Sequence, residues 1–329
     1  MDWQTVDDQQ HKYSVVIPLY NKQDSIARAI HSVLQQKGQT FELIVVDDGS
    51  SDDSVSRVRE IHDERIRLVE QANSGASAAR NRGIHLAKYP YIAFLDADDQ
   101  WLPDFLTLIS GLIMRFPAAG AYATNYWIEN LGQMSREAKM KYVPLEVNGG
   151  LIGSYYRSIA YGNSPISSSS VCIPRSVFDR AGFFPEGVRL YEDLDMWTRI
   201  AAQFPIAYNN HPGAIYQRDA QNRACDRIVP NRNDLKFAES LRIGMQRGDV
   251  YGDDVKYAIE FINRYALQNA FKAVVAGDSH EGRFILSAVR PQSFGKFWRK
   301  ILIYLYSFLP GFAVNTFWEI GKRLKADLR

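Results

Sequence analysis

Cysteine is almost missing from this chain, which has two among 329 residues, Cys172 and Cys225. That number excludes a disulfide framework, and Cys172 sits in an apolar stretch where a buried thiol is the expected state. An excess of one charge sign is also lacking. Lys and Arg number 39 against 37 Asp and Glu, a net charge of +2, so no general polyanion-binding surface is implied and nucleic acid is not an expected partner. Neither the dinucleotide fingerprint G-x-G-x-x-G nor the phosphate loop G-x-x-x-x-G-K-[ST] occurs, which argues against both glycine-based nucleotide-binding classes. Hydrophobic runs of spanning length are absent as well: the apolar stretch that follows Lys296 is interrupted by Pro310-Gly311 short of the roughly 20 residues a bilayer requires. The first twelve residues are polar, which predicts no secretory signal and a reducing, cytoplasmic setting.

What is present is a globular balance of residues in a chain longer than one usual domain, so about two units are expected. From 13 to 126, apolar strand-like runs at 14–19, 41–46, 66–69, 91–95 and 119–123 alternate with helical patterns. The helical stretch 25–34 places Ile26, Ile30, Val33 and Leu34 on one stripe, and 77–86 repeats the pattern more weakly. This alternation predicts an α/β class with a mostly parallel central sheet flanked by helices. From 130 to 162 the pattern dissolves into polar, glycine-containing sequence, read as a connection facing a second substrate. A strand at 168–173, helices at 175–181 and 193–203, and strands at 205–208 and 214–217 follow. Beyond 228 the sequence reads as helical. The expected layout is a polar lead over 1–12, a catalytic domain over 13–227 that divides near 126/127 into two halves, and a helical region over 228–329.

The most informative run is Tyr91-Ile-Ala-Phe-Leu-Asp96-Ala97-Asp98-Asp99, where an apolar strand ends in three carboxylates within four residues. If the extended backbone continued, Asp96 and Asp98 would point the same way, and hard oxygens so placed suit Mg²⁺ or Mn²⁺. Ligands of open α/β sheets gather beyond the carboxyl ends of the strands. Capping of the helix that begins near Pro103 would account for some of these acids equally well. A second acidic strand end, Asp47-Asp48-Gly49-Ser50, lies at the same edge. A turn needs only one of its two aspartates, and a buried carboxylate there can accept from a base N–H or a ribose hydroxyl. The segment Asn73-Ser-Gly75 through Arg80-Asn81 enters a helix, and Arg80 offers a positive fork for phosphate or a stacking surface for a base, unless it is merely solvated. Far along the chain, Glu192-Asp193 opens a helix whose Leu194, Trp197 and Ile200 form its buried stripe. Asp193 serves either as a first-turn acid favoured by the helix dipole or as a general base.

Taken together, Ser14-Val-Val-Ile-Pro18-Leu-Tyr20-Asn21, Val45-Val-Asp47-Asp48-Gly-Ser, the Asn73/Gly75/Arg80-Asn81 segment, Asp96-Ala97-Asp98-Asp99 and Glu192-Asp193 through Trp197 resemble the family 2 inverting glycosyltransferases of GT-A fold over about residues 13–220. The resemblance implies that 13–126 is the nucleotide-sugar half and 127–227 the acceptor half. It implies that Pro18, Tyr20 and Asn21 approach the nucleoside, that Asp47, Asp48 and Asn73 belong to the nucleotide-sugar site, with Asp48 on the base, and that Arg80 helps enclose the base. Asp96 and Ala97 would lie on ribose or sugar and Asp98 on a divalent metal, Mg²⁺ or Mn²⁺. Asp193 would be the catalytic base, with Glu192 orienting acceptor or sugar. The family's histidine after a strand tyrosine is replaced here by Asp219, so Asp219 or the nearby His211 is the further candidate for the metal. The implied partners are a nucleotide-diphosphate sugar and a saccharide or lipid-linked saccharide acceptor. A catalytically silent sugar-nucleotide-binding scaffold and a nucleotidyltransferase remain open alternatives at this point. Separately, 291–329 carries seven Lys/Arg against Glu319 and Asp327 among aromatic and aliphatic residues, a surplus of five positive charges. It predicts peripheral contact with an anionic membrane, on the inner face of the cytoplasmic membrane, or packing of these helices on protein.

Overall fold

The computed structural model describes residues 11–130, 133–218, 228–290 and 294–308. β1 (Lys12–Leu19) and β2 (Thr40–Asp47) are buried along nearly their whole lengths, as strands covered on both faces must be. They pair in parallel, and β3 (Ile66–Glu70) and β4 (Tyr91–Phe94) extend the parallel set on either side. The crossovers are α1 (Ile26–Leu34), α2 (Ser54–Arg59) and α3 (Ala76–Leu86). α1 buries Ile26, Ala29, Ile30 and Val33, the i, i+3, i+4, i+7 stripe of a core-facing helix. α3 approaches β1 closely because it carries Gly83, where a Cβ would stand 2.3 Å from Val16 Cγ1.

The chain continues through β5 (Gln100–Trp101), α4 (Phe105–Arg115), β6 (Ala121–Asn130), β7 (Gln133–Glu137), β8 (Gly150–Leu151), α5 (Tyr155–Tyr161), β9 (Val171–Pro174), α6 (Arg175–Ala181), α7 (Glu192–Ala201) and β10 (Ile206–Gln217). Among the described residues the strands form one sheet in the order β3-β2-β1-β4-β9-β6-β10-β5, with β7 on β6 and β8 on β10. β9 lies antiparallel between β4 and β6, so β6 runs the same way as β4, and β10 runs parallel to β6. The carboxyl ends of β1, β2, β4, β6 and β10 therefore open on one edge. The expected mostly parallel α/β sheet flanked by helices is present.

Several local readings differ, among them the strand expected at 119–123, which runs as β6 to Asn130. The strands expected at 205–208 and 214–217 are one strand, β10, whose register shifts at Asn209/Pro212 and Pro212/Ala214 absorb the His211-Pro212-Gly213 interruption. The stretch without a sequence pattern contains α5, capped by Ser154 Oγ accepting from Arg157 N at 3.1 Å and burying Tyr155, Tyr156, Ile159 and Ala160. Seven residues are too few for a helical period to stand out.

Contacts divide the chain into one unit of Met1–Gly187 with Glu192–Arg223 and a second of Val188–Tyr191 with Ala224–Arg329. The sequence places the boundary at 227/228; the contacts place it at 223/224 and group 188–191 with the helices. The second unit contains α8 (Lys236–Arg247), α9 (Asp253–Val275), α10 (Ser279–Ser287) and α11 (Phe294–Tyr306). Its interior holds an aromatic cluster in which Phe261 lies 4.9 Å from Phe237 and 4.8 Å from Tyr265, centroid to centroid. Asn263 donates to Arg290 O and accepts from Arg290 N, both at 2.6 Å, which ties the end of the α10 segment to α9. Among the described residues no helix is long and apolar enough to cross a membrane.

Candidate active site

The site assembles where α3, α7 and the turn after β4 meet. β4 stops at Phe94, and Asp99 N donates to Asp96 O at 3.0 Å, so the chain turns instead of remaining extended. The expected parallel pointing of Asp96 and Asp98 therefore does not occur, and each acid meets a different cation. Asp96 Oδ1 accepts from Arg80 Nη2 at 2.7 Å, and Asp98 Oδ2 pairs with Lys22 Nζ at 2.6 Å. Asp98 O also accepts from Arg28 Nη2 at 2.9 Å. The third acid, Asp99, is buried and lies between other elements: its Oδ1 accepts from Gln217 N at 2.8 Å and its Oδ2 from Ser169 Oγ. Burial, followed by the neighbouring Asp98 and Asp96 charges, pushes the Asp99 carboxyl well above the usual carboxylate range. Ala97 is buried beneath the turn.

Arg80 joins two acidic segments that are far apart in the chain. Its Nη1 donates to Glu192 Oε1 at 2.9 Å while Nη2 holds Asp96, its side chain is 5% exposed, and the guanidinium lies 5.4 Å from the Phe184 ring. A planar fork suits two carboxylates arriving from different directions. The expectation that Arg80 encloses a base therefore meets a different placement, because both of its amino groups are engaged by acids beneath the surface. Asp193, next to Glu192 on the first turn of α7, accepts from Leu194 N at 2.7 Å. Burial and the adjacent Glu192 push its pKa up to about 7, against the opposing pull of Arg80. Asp193 and Asp98 thus lie one and two residues from the two carboxylates that Arg80 brings together.

At the other acidic strand end, Asp47 Oδ2 accepts from Gly49 N at 3.2 Å and Ser50 N at 3.1 Å, closing the turn after β2. Its Oδ1 is buried without a partner. Asp48 accepts from Gln71 Nε2 at 2.8 Å, Ser74 N at 2.9 Å and Gly75 N at 2.7 Å, so this carboxylate shapes the entry to α3. Gly75 sits at φ 92°, a conformation open to glycine. Asn73 is exposed on the same turn. Pro18 lies near the end of β1, and Tyr20 just beyond it is 48% exposed. Asn21, at φ 51°, fastens the β1 turn to the β2 turn: its Oδ1 accepts from Ser51 N at 2.8 Å and its N donates to Ser50 Oγ at 3.0 Å.

His211 is exposed and faces Asp104 at 3.5 Å, whereas Asp98 pairs with Lys22. Asp219 lies outside the described residues. Among the described residues no three His, Cys, Asp or Glu side chains converge as a metal cage. The donor set still fits one hard cation held by a single carboxylate and completed by phosphate oxygens, the usual arrangement for Mg²⁺. The Lys22 ammonium on Asp98 marks that carboxylate as one that takes a positive partner. Sequence reasoning missed Lys22, Ser169 and Gln217. Lys22 follows Asn21 directly and was within reach of a motif reading, whereas the serine run 167–170 and Gln217 carry no chemical pattern of their own.

The mostly parallel α/β sheet with its flanking helices has the GT-A class of fold. Residues 14–140 match the model of glycosyl transferase family 2, so the resemblance read from the motifs stands over that stretch. An uncharacterized glycosyltransferase of Rickettsia felis is 34% identical over 197 residues, 59% of this chain and 31% of that protein. The Escherichia coli UDP-Glc:alpha-D-GlcNAc-diphosphoundecaprenol beta-1,3-glucosyltransferase WfgD is 35% identical over 143 residues, 42% of this chain and 56% of WfgD. The chain thus spans about a third of the length of the first of these relatives and just over half of the second. The crystal structure of S. aureus TarS 1-349 in complex with UDP-GlcNAc superposes with a TM-score of 0.67 at 17% identity, covering 89% of each chain, and this likeness shows the fold.

Proposed function

We propose that this chain transfers a sugar from a nucleotide-diphosphate sugar to a hydroxyl of a saccharide acceptor, with inversion at the anomeric carbon and with a divalent cation as cofactor. The observation that carries the proposal is the Arg80 bridge, which draws the Asp96–Asp98 turn and the Glu192-Asp193 pair into one place from positions about a hundred residues apart. Asp193 is the general base. A carboxyl poised near neutrality takes a proton more readily than one at the usual carboxylate value and is still ionised in half or more of the molecules at pH 7 and above. It removes the acceptor hydroxyl proton, the acceptor oxygen bonds to the anomeric carbon, and the bond to the diphosphate breaks with its electron pair leaving on the nucleotide. One base on the face opposite the leaving group suffices, so the configuration inverts. Glu192 and Asp96, fixed by Arg80, orient the sugar, and Asp98 would hold Mg²⁺ or Mn²⁺ on the diphosphate. When bound, the cation neutralises charge on the departing diphosphate, worth several kcal/mol. Pro18, Tyr20, Asn21, Asp47, Asp48 and Asn73 border the nucleoside end.

The UDP-GlcNAc in TarS supports a nucleotide-sugar donor, and the diphosphoundecaprenol in the name of WfgD supports a lipid-linked saccharide as acceptor. A thermal-shift screen of nucleotide sugars with Mn²⁺ identifies the donor, and calorimetry with a turnover assay then tests the base. Asp193→Asn keeps donor binding and loses about 10²–10⁴ of the transfer rate. Full activity in that variant sinks the proposal. Release of pyrophosphate in place of a nucleoside diphosphate would make the chain a nucleotidyltransferase.

A further inference from the structure

α11 turns its apolar side outward. Placed at 100° per residue, Tyr304, Phe297, Ile301, Leu305, Trp298 and Leu302 follow one another around about 160° of the helix. Five of them are 47–56% exposed, Ile301 is partly exposed, and Phe308, just past the helix end, is 63% exposed. The opposite side holds the contacts with the helical unit. Ile303 and Ser307 are buried there, Arg283 Nη1 donates to Ser307 O at 3.2 Å, Lys300 Nζ donates to Val289 O at 3.0 Å, and Lys296 pairs with Glu260. This inverts the usual surface helix, whose apolar stripe faces the core. A contiguous exposed stripe of this kind marks an interaction surface.

We infer that this stripe of α11 is the surface by which the protein lies on an anionic lipid leaflet. Phe, Trp and Tyr interleaved with Leu are the side chains that rest at the boundary of headgroups and acyl chains. The charge complements an anionic surface: residues 291–329 carry a surplus of five positive charges, and Arg299 stands exposed beside the stripe. Lys296 and Lys300 are held by the protein itself, so attraction rests on Arg299 and on Lys322, Arg323, Lys325 and Arg329, which lie outside the described residues. The stripe is thirteen helical residues long at most, so the helix lies in the plane of the interface and does not span it. This surface is independent of the transfer chemistry and holds whatever the donor and acceptor are.

Flotation of the full chain with vesicles of phosphatidylcholine, with and without phosphatidylglycerol, tests the assignment. The chain binds the phosphatidylglycerol vesicles, and binding falls as salt is raised. Replacing Trp298, Leu302 and Leu305 together by Ser lowers the partition at least about tenfold, and thermal unfolding measured alongside shows that the variant is folded when it fails to bind. Arg299→Gln lowers binding to the anionic vesicles alone. Failure of the full chain to float, equal binding to neutral vesicles, or full binding by the triple Ser variant would each overturn the inference. So would a dimer that does not bind vesicles and that the triple Ser variant dissolves, because a second copy would then be what covers the stripe.

Discussion

Replacing Arg80 by Gln removes the cation that pairs with both Asp96 and Glu192. The guanidinium is 5% exposed and pairs at 2.7 and 2.9 Å, so solvent screens it little. At an effective dielectric constant of 20, each attraction at about 4 Å amounts to roughly 4 kcal/mol, and the desolvation of Arg80 offsets a large part of the pair. The loss on breaking such a network is about 3–5 kcal/mol, because the remaining acids are left without their countercharge. The pH dependence has a definite sign. Asp193 already has a folded-state pKa of about 7 against 3.8, so its protonated form contributes stability below about pH 4 that is lost as pH rises through 7. Arg80 pulls that pKa down. Without it the folded-state value moves higher, and the stability lost on ionisation continues to accumulate above pH 7. Denaturant unfolding of Arg80→Gln at pH 6 and pH 8 should therefore show a deficit at both values and a larger one at pH 8. Arg80→Lys keeps the charge but not the fork, and should recover only part of the deficit. A deficit below about 1 kcal/mol at both pH values would refute the idea that Arg80 balances these acids.

Three further outcomes follow from other parts of the site. Asp98→Asn should weaken Mn²⁺-dependent binding of a nucleoside diphosphate, measured by calorimetry, while leaving metal-free binding nearly unchanged; an unaltered Mn²⁺ dependence would remove Asp98 as the metal ligand. The acid limb of the pH–rate profile should fall as pH drops below about 7, where Asp193 takes up its proton, and a limb near pH 4 would mean that another group is the base. Gly83→Ala should destabilise the protein by about 1–3 kcal/mol although Ala is the better helix former, because its methyl would meet Val16 Cγ1 at 2.3 Å; a neutral or stabilising result in thermal unfolding would show that α3 can shift away from β1.

The parallel half of the sheet was legible because its strands are buried on both faces, and burial leaves apolar runs at 15–19 in β1, 43–46 in β2 and 91–94 in β4. The bulged β10 was not legible as one strand, since His211-Pro212-Gly213 reads as a break even where the ladder continues around it. Individual acids announced themselves by clustering at strand ends. Their division of labour did not, because it depends on partners distant in the chain: Arg80 sixteen residues before Asp96 but 112 before Glu192, Ser169 seventy residues after Asp99. The inward turn of Arg80 was illegible for the same reason, since a helix-start arginine looks alike whether it meets solvent or two carboxylates.

The three-way pairing of Arg80 with Asp96 and Glu192 has a consequence for descent. A lineage that exchanged either acid for a neutral residue would strand a cation in the interior, and one that lost the arginine would strand two anions. Drift at any one of these positions is thus tolerable only in step with the others. Across homologous sequences, positions 80, 96 and 192 should change as a set or stay as they are.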